Sequence, residues 1–419
     1  MFISDRTGWW NLFATDVGAA PDGGQPAEPV ALWPADHEFA DPQWVLGMSS
    51  YGITDDGTLV CSWTADGYAR LGTLDLGSGE RVEIDHDATA VSSVRVGGAS
   101  GLLVLGFSDR PTALVGLDLA EPTSLAVVRE AAPRRLDPAL FSVAEAVTWH
   151  SPDGEEVYGF YSCPHHPGFR GEDGELPPLV VMSHGGPTGM SRPIFDLGLQ
   201  FWTTRGIGVL TVNYRGSSGY GRAYRDRLRG SWGVVDVDDC ASGAVAMASL
   251  GRADPHRLAI RGGSAGGYTT LAALAFRDVF TAGASLFGVG DLESLARDTH
   301  KFESRYLDGL VGPLPEARDI YRERSPIHHV DQIRCPMILL QGRDDKVVPP
   351  SQAESMAAAV RAKGLPVALL VFEGEGHGFR KAETVVRAFE AEAYFYSRVF
   401  GFDLADEVEP VEIENLPGG

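Results

Sequence analysis

Cysteine is scarce in this chain: its 419 residues include only four, Cys61, Cys163, Cys240 and Cys335. These residues are far apart in the sequence, and no two of them have the spacing of a Cys-x-x-Cys motif. The spacing argues against a disulfide framework and against a zinc site with cysteine ligands. The simplest interpretation is a reduced protein of the cytoplasm.

Positive charge and long apolar runs are also in short supply. Lys and Arg total 35 residues against 57 Asp and Glu, which gives a formal net charge of −22. This surplus of negative charge argues against nucleic acid or an anionic membrane as the main partner. No segment approaches the roughly 20 consecutive apolar residues of a membrane span. The first residues, MFISDRTGWWNLF, lack the basic region of a secretory signal, so we expect neither a membrane partner nor a signal peptide.

Short β-strands predominate in residues 1–135, and one strand–turn–strand pattern recurs there. Its closing aspartates Asp75 and Asp118 are 43 residues apart, a spacing that suits a propeller blade of about 40 to 50 residues. An earlier copy ends near Asp16, and the turn-rich insert 18–29 follows it. The three copies are ISDRTGWWNLFATDV (3–17), CSWTADGYARLGTLDL (61–76) and GFSDRPTALVGLDL (106–119). We predict a partial β-propeller of about three blades; a β-sandwich built from similar hairpins is the alternative.

Strands and helices alternate from residue 136 onwards, which predicts a mostly parallel sheet with helices on both faces. We assign residues 136–405 to this α/β domain and residues 406–419 to an acidic C-terminal tail. In open α/β sheets the functional site lies at the C-terminal ends of the strands. After a hairpin at 141–164, the predicted strands fall in 177–186, 206–216, 257–264, 282–289, 336–342 and 367–374, and the longest helices in 236–251, 351–364 and 383–401.

Small residues surround one serine in the stretch GGSAGGY, residues 262–268. The stretch follows the strand RLAIR and precedes a helical run, so it fits the G-x-S-x-G nucleophile elbow. In such an elbow the serine has a strained backbone, bulky neighbours would clash, and the hydroxyl is held out at the top of the sheet. We therefore predict that Ser264 is a nucleophile; a glycine-rich helix start without chemistry is the alternative.

A nucleophilic serine needs a base and an orienting carboxylate, and in this fold the chain order is Ser, then Asp or Glu, then His. His377 lies between two glycines just after the strand VALLVFEG, and the adjacent Asp344 and Asp345 follow the strand PMILLQG. Neighbouring side chains point in different directions, so only one of these aspartates can meet the imidazole. We favour Asp344 and interpret Asp345 as a turn residue.

The loop SHGGPTG, residues 183–189, is a candidate for stabilising the oxyanion of a tetrahedral intermediate. Its glycine pair lets the backbone approach the serine closely. We assign the oxyanion donors to the backbone N–H groups of Gly186 and of Ala265. His184 lies in this loop and precedes the nucleophile in the sequence, so we interpret it as a structural, hydrogen-bonding residue rather than as the base.

The chain resembles the prolyl oligopeptidase family of serine peptidases, and most of all its acylaminoacyl-peptidase and dipeptidyl-aminopeptidase branch. The matching motifs are HGGP (184–187), NYRGSSGYG (213–221), GGSAGGY (262–268), GRDDKVVP (342–349) and GEGHGF (374–379). The family implies an α/β-hydrolase domain capped by a β-propeller that restricts access to short peptides. Carried onto this chain, it implies a triad of Ser264, Asp344 and His377, because the first aspartate of the pair is the family's acid. We interpret Arg215 as ordering a loop near the site without being catalytic.

The predicted function is the hydrolysis of oligopeptides through an acyl-enzyme, with short peptides as partners and no metal or organic cofactor. Glu38 is a candidate for binding a peptide amino group. One alternative is a carboxylesterase with the same triad, and another is a non-enzymatic propeller module with a relict hydrolase domain. Propeller rings have typically 4 to 8 blades, so we expect an N-terminally shortened family member that either self-associates or lacks an N-terminal propeller segment.

Overall fold

The described residues of the N-terminal part of the chain form three antiparallel sheets. The computed structural model describes residues 1–16, 27–120, 124–132 and 136–417, so the predicted boundary at 135 and most of the insert at 18–29 lie outside the described residues. The first sheet contains β1 (Phe2–Ser4), β2 (Asn11–Ala14) and β3 (Val30–Ala31). The second contains β4 (Tyr51–Ile53), β5 (Thr58–Ala65), β6 (Tyr68–Asp75) and β7 (Arg81–Ile84). The third contains β8 (Ala90–Gly97), β9 (Ser100–Gly106), β10 (Ala113–Asp118) and β11 (Leu125–Glu130).

The recurring sequence pattern corresponds to one hairpin of each sheet. Asp75 ends β6 and Asp118 ends β10, and each of these strands is the third in its four-stranded sheet. The 43-residue spacing is therefore the length of one four-stranded repeat. Between β5 and β6 the chain turns at Asp66 and Gly67, which have φ angles of 52° and 80°. Asp and Gly adopt such positive φ angles more readily than other residues, which explains the tight turn.

Two apolar clusters join the three sheets of this part. Leu59 belongs to a cluster with Leu12, Phe39 and Trp63. The next residue along β5, Val60, belongs to another cluster, whose members from the third sheet include Val91, Leu103 and Val115. Successive side chains of a strand point to opposite faces, so the second sheet contributes one face to each core.

The second part of the chain is built around one eight-stranded sheet. Its order is β12-β13-β15-β14-β16-β17-β18-β19. β13 and β15 are antiparallel, whereas every neighbouring pair from β15 to β19 is parallel. The strands, all predicted from the sequence, are β12 (Glu145–His150), β13 (Glu156–Ser162), β14 (Leu179–Ser183), β15 (Gly208–Asn213), β16 (Leu258–Gly263), β17 (Ala282–Leu286), β18 (Met337–Gly342) and β19 (Val367–Phe372).

Helices connect these strands and cover both faces of the sheet. Leu258 and Ile260 of β16 are buried in the core cluster that contains α3 and α4 residues. Arg261 points to the opposite face, where it forms an ion pair with the buried Glu392 of α9 at 2.7 Å. The helices are α1 (Leu197–Thr203), α2 (Gly221–Asp226), α3 (Val235–Ser249), α4 (Ala265–Phe276), α5 (Leu292–Asp298), α6 (Tyr306–Leu310), α7 (Arg318–Glu323), α8 (Ser351–Ala362) and α9 (Ala382–Phe400), with 3₁₀ turns at Pro138–Leu140, Lys301–Glu303 and Pro326–Gln332.

The chain forms two compact units whose boundaries are not simply sequential. The first unit comprises Met1–Glu145, Arg192–Leu199 and Ser217–Asp226. The second comprises Ala146–Ser191, Gln200–Gly216 and Arg227–Gly419. Two short segments that come after the start of the eight-stranded sheet thus belong to the first unit.

The C-terminal tail is partly ordered along the edge of the eight-stranded sheet. Glu414 and Val367 of β19 exchange two backbone hydrogen bonds, at 2.9 and 3.0 Å. The Glu414 carboxylate also forms an ion pair with Arg361 of α8.

None of the four cysteines, all of which are described, is in a disulfide bond. No described helix combines the length and the hydropathy that a bilayer crossing requires.

Candidate functional site

Ser264 lies in the sharp turn between β16 and α4, at the C-terminal end of the parallel sheet. Its φ and ψ angles are 57° and −120°, a strained conformation for a residue with a side chain. The turn is fixed by two backbone hydrogen bonds: the Ser264 N–H donates to the Leu286 carbonyl, and the Tyr268 N–H donates to the Ser264 carbonyl. The elbow predicted from the sequence is therefore present.

The glycines around Ser264 are required by close backbone approach. A Cβ atom at Gly262 would lie 2.3 Å from the carbonyl oxygen of Gly266. A Cβ atom at Gly266 would lie 2.2 Å from the backbone oxygen of Ser183. The tyrosine that closes the motif has a different role, because the buried Tyr268 hydroxyl donates to the Arg324 carbonyl at 3.0 Å. This hydrogen bond ties the first turn of α4 to the segment that follows α7.

Ser264, His377 and Asp345 form a continuous chain of hydrogen-bonding side chains. His377 Nε2 lies 2.9 Å from Ser264 Oγ. On the other side of the ring, His377 Nδ1 lies 2.8 Å from Asp345 Oδ2. An imidazole held in this way donates from Nδ1 to the carboxylate and can accept the serine proton at Nε2. The structure thus brings together two of the three residues that the sequence analysis named as the triad.

The prediction that Asp344 is the acid is wrong, since Asp345 meets His377. The side chain of Asp345 is buried, and its Oδ1 accepts hydrogen bonds from the N–H groups of Val347 and Val348 at 2.8 and 2.9 Å. These bonds close a turn after β18 that aims the second carboxylate oxygen at the imidazole. Asp344 is exposed, and its backbone N–H donates to the Glu375 carbonyl. The roles proposed for the two aspartates are therefore reversed.

A buried carboxylate, which the sequence analysis did not single out, forms hydrogen bonds within the His377 loop. Glu375 accepts the backbone N–H groups of Arg380 and Lys381, at 3.0 and 2.9 Å. The ring of Phe287 lies edge-on to the His377 ring, with 5.0 Å between ring centroids. These contacts fix the orientation of an imidazole that extends from a loop with a positive φ at Gly378.

His184 has the structural role that was predicted for it. Its ring stacks on Tyr214 at 4.3 Å between centroids, and its Nδ1 donates to the Gly185 carbonyl at 3.0 Å. Burial lowers the pKa of His184 to about 4. The ring is therefore neutral near pH 7, and it supports the loop that carries Gly186, whose φ is 50°.

Arg215 is likewise structural and buried. Its guanidinium forms two hydrogen bonds with the Asp239 carboxylate of α3, at 2.8 and 3.0 Å, and a third with Ser151 Oγ at 2.9 Å. It also forms an ion pair with Asp153. Arg215 thus connects the end of β15, the turn after β12 and α3, as expected for a residue that orders a loop.

A cavity opens beside Ser264 within the second unit, and we call it the serine pocket. Gly186, Ser264 and Ala265 form the part of its lining next to the nucleophile. The rest is mainly apolar, with Trp232, Val289, Leu295, Tyr306, Leu310 and Val348 among its lining residues. The serine pocket has the position and the chemistry to receive an apolar side chain next to a bond attacked by Ser264.

Glu38, the candidate for binding an amino group, is buried in the first unit. Its Oε2 accepts the Trp10 N–H at 2.7 Å, and its Oε1 accepts the Gly221 N–H at 3.1 Å. The Arg225 guanidinium lies 3.5 Å from the same Oε1. Burial raises the pKa of the Glu38 carboxyl despite these contacts. The carboxylate is thus engaged by neighbours in its own unit, which argues against a role in binding substrate.

Comparison with known proteins assigns the family. The family profile described as the prolyl oligopeptidase family matches residues 193–403, about half of the chain. The chain belongs to the prolyl oligopeptidase family. The resemblance inferred from the motifs is thereby confirmed, and the family comprises serine peptidases.

Curated relatives of this chain include a dipeptidyl aminopeptidase and several acylamino-acid-releasing enzymes. A dipeptidyl aminopeptidase BIII of Pseudoxanthomonas mexicana is 33% identical over 49% of this chain and 31% of the relative. An acylamino-acid-releasing enzyme of Arabidopsis thaliana is 30% identical over 54% of this chain and 31% of the relative. The matched region thus amounts to about a third of the length of either relative.

Solved structures in this family match almost the whole chain. A puromycin-hydrolysing peptidase of Mycobacterium tuberculosis is 44% identical, with a TM-score of 0.93, over 98% of this chain and 61% of that one. A puromycin hydrolase matches with the same identity and coverage and a TM-score of 0.91. These similarities confirm the predicted fold class, an α/β-hydrolase sheet preceded by antiparallel propeller-type sheets. In the described ranges, no group of three or more His, Cys, Asp or Glu side chains is arranged to hold a metal ion.

Proposed function

We propose that this chain is a serine peptidase that cleaves short peptides and aminoacyl amides through an acyl-enzyme. The observation that carries the proposal is the unbroken hydrogen-bonded chain from Ser264 Oγ through His377 to Asp345. Serine, imidazole and a buried carboxylate in this order are the components of nucleophilic acyl transfer. Cytoplasmic location remains part of this proposal.

Each residue of the hydrogen-bonded triad has a defined role in the proposed reaction. His377 takes the proton of Ser264 through Nε2 as the serine oxygen attacks the scissile carbonyl, and it then donates this proton to the leaving amine. Asp345 keeps Nδ1–H pointing toward itself and stabilises the imidazolium. The N–H groups of Gly186 and Ala265 are assigned to the oxyanion. A water molecule, activated by the same imidazole, then hydrolyses the acyl-enzyme.

The lining of the serine pocket favours a substrate with an apolar or aromatic residue on the acyl side of the scissile bond. Trp232, Leu295 and Leu310 offer apolar surface next to Ser264. Solved relatives that hydrolyse puromycin agree with this preference, because puromycin presents an amide of an aromatic amino acid. We therefore propose aminoacyl amides and short peptides with a large apolar residue in the pocket as substrates.

The test compares amide and ester substrates on one purified protein. Leucine and phenylalanine 4-nitroanilides, with free and with acetylated amino groups, are compared with 4-nitrophenyl esters of simple acids. The proposal predicts turnover of the anilides, and a loss of roughly a millionfold in kcat/KM in Ser264→Ala. Turnover of esters alone would favour the carboxylesterase alternative, and no turnover of either class would favour the non-enzymatic alternative. Self-association, expected from the sequence, is tested separately by measuring the mass in solution.

A further inference from the structure

Glu303 is the carboxylate among the described residues that line the mainly apolar serine pocket. Glu303 lies in the short 3₁₀ turn Lys301–Glu303 that precedes α6, and its side chain forms part of the pocket wall together with Thr299 and Tyr306. Among the described residues that line this pocket there is no lysine or arginine. Glu303 is thus the acidic side chain of the pocket wall.

The Glu303 carboxylate has two polar neighbours on its own segment. Thr299 Oγ1 lies 3.4 Å from Glu303 Oε2, and His300 Nε2 lies 3.8 Å from the same oxygen. The side chain is 33% exposed, so it is partly withdrawn from solvent without being buried. Burial raises the pKa of Tyr306, which lines the same pocket, to about 12.

A carboxylate in the wall of the serine pocket discriminates between substrate side chains by their charge. A substrate carboxylate in the pocket would lose hydration and meet a like charge, whereas an ammonium group at the end of an apolar chain would meet an opposite charge. The apolar lining can contact the methylene groups of lysine while the cationic end reaches the wall. Partial exposure limits the effect, since solvent screens charges of this kind.

We propose that Glu303 is a specificity-determining residue of the serine pocket, which favours a cationic end on the substrate side chain and disfavours an acidic one. This inference rests on the proposed peptidase function and adds the substrate feature that one residue selects. Glu303 does not take part in bond cleavage; it changes which side chains the pocket accepts.

The test uses two pairs of acetylated aminoacyl 4-nitroanilides that differ mainly in charge. Glutamate is compared with glutamine, and lysine with norleucine, in the wild type and in Glu303→Gln. The substitution is expected to raise the Glu/Gln ratio of kcat/KM roughly fivefold and to lower the Lys/norleucine ratio by a similar factor. The neutral substrates serve as the reference in each ratio, so that a general effect of the substitution on turnover cancels, and the carboxamide has the same size as the carboxylate.

Asp308→Asn is the matched control, since Asp308 lies in α6 near Glu303 but pairs with the exposed Arg305. It removes a negative charge from the same segment and should leave both ratios unchanged. Unchanged ratios in Glu303→Gln, or an equal fall for all four substrates, would overturn the inference. The same two pairs are also measured with free amino groups, and an effect seen only with these would overturn the inference, because Glu303 would then bind the α-amino group. A wild type that hydrolyses none of the anilides would instead contradict the proposed peptidase function itself.

Discussion

At the residue scale, the position of a residue in the sequence shows that it lies near the active site, but the direction of its side chain decides whether it belongs to the triad. Ser264 and His377 could be identified because each follows a strand of a parallel sheet, whose C-terminal ends meet at one edge. Asp344 and Asp345 share that property, so strand order could not separate them. The turn after β18 determines which aspartate is the acid, because the backbone N–H groups of Val347 and Val348 donate to Asp345 and direct its second oxygen to the imidazole.

Substitution of the two aspartates separates their roles. Asp345→Asn is expected to lower kcat/KM by roughly 10³- to 10⁴-fold, because an amide next to Nδ1 stabilises the wrong imidazole tautomer. Asp344→Asn removes an exposed charge and should change kcat/KM by no more than about threefold. Both variants are measured on one anilide, with urea unfolding as a check that each is folded. The reverse ranking would return the acid to Asp344, and equal losses would contradict the separate roles of the two aspartates.

Glu303 shows which site residues the sequence could not reveal. It lies in the region between β17 and β18, where short helices and two described 3₁₀ turns replace a single connecting helix. Nothing in the local pattern connects Glu303 or Trp232 with Ser264. They line one pocket with Ser264 only because the tertiary fold brings their separate segments beside the elbow, which hydrophobic periodicity does not encode.

At the element scale, the elbow between β16 and α4 depends on the absence of side chains. The sequence predicted this element well, because strand, turn and helix follow each other directly and the glycine pattern is local. A methyl group at Gly266 would meet the Ser183 carbonyl at 2.2 Å. Backbone cannot move away from such a contact without disturbing β14 or α4.

Gly266→Ala is therefore expected to destabilise the protein by about 2 kcal/mol or more, although alanine is the better helix former. The urea midpoint measures this loss. The control is Gly309→Ala in α6, where an added Cβ meets no atom within 4 Å. The control should leave the midpoint unchanged or slightly higher. Equal midpoints for the two variants would show that the elbow is not tightly packed.

A buried carboxyl beneath the elbow makes the α3–α4 contact sensitive to pH. Asp236 of α3 accepts hydrogen bonds from Thr269 Oγ1 of α4 and from the Gly233 N–H, both at 2.6 Å. Burial raises the pKa of Asp236 from 3.8 to about 6 in the folded protein. A raised pKa means that the folded state binds the proton more tightly, so this contribution to stability is present at low pH and is lost as the pH rises through 6.

Asp236→Asn should remove this dependence, because the amide does not titrate. The free energy of unfolding of the wild type, relative to that of the variant, is expected to fall by about 2 kcal/mol between pH 4 and pH 8. Chemical unfolding of both proteins across this range gives the difference directly. A difference that stays constant with pH, or that rises, would contradict the raised pKa.

At the scale of the whole molecule, the sequence predicted the class of each part but not how the chain is shared between the two units. The 43-residue repeat reflects one four-stranded sheet, and the strand–helix alternation reflects the eight-stranded sheet. The segments Arg192–Leu199 and Ser217–Asp226 belong to the first unit. These segments are joined to the rest of the first unit by hydrogen bonds between residues that are far apart in the sequence. Examples are the bond from the Phe195 N–H to the Phe107 carbonyl and the bond from the Arg222 N–H to the Gly8 carbonyl.

The central claim is that Ser264, activated by His377 and Asp345, is the nucleophile of this chain. A fluorophosphonate reacts covalently with an activated serine, so the modified residue can be located by mass spectrometry of the digested protein. We predict one adduct, on the peptide that contains Ser264, and none in Ser264→Ala. Labelling should also be strongly slowed in Asp345→Asn. An adduct on a different serine, or labelling of Ser264→Ala at the rate of the wild type, would contradict the claim.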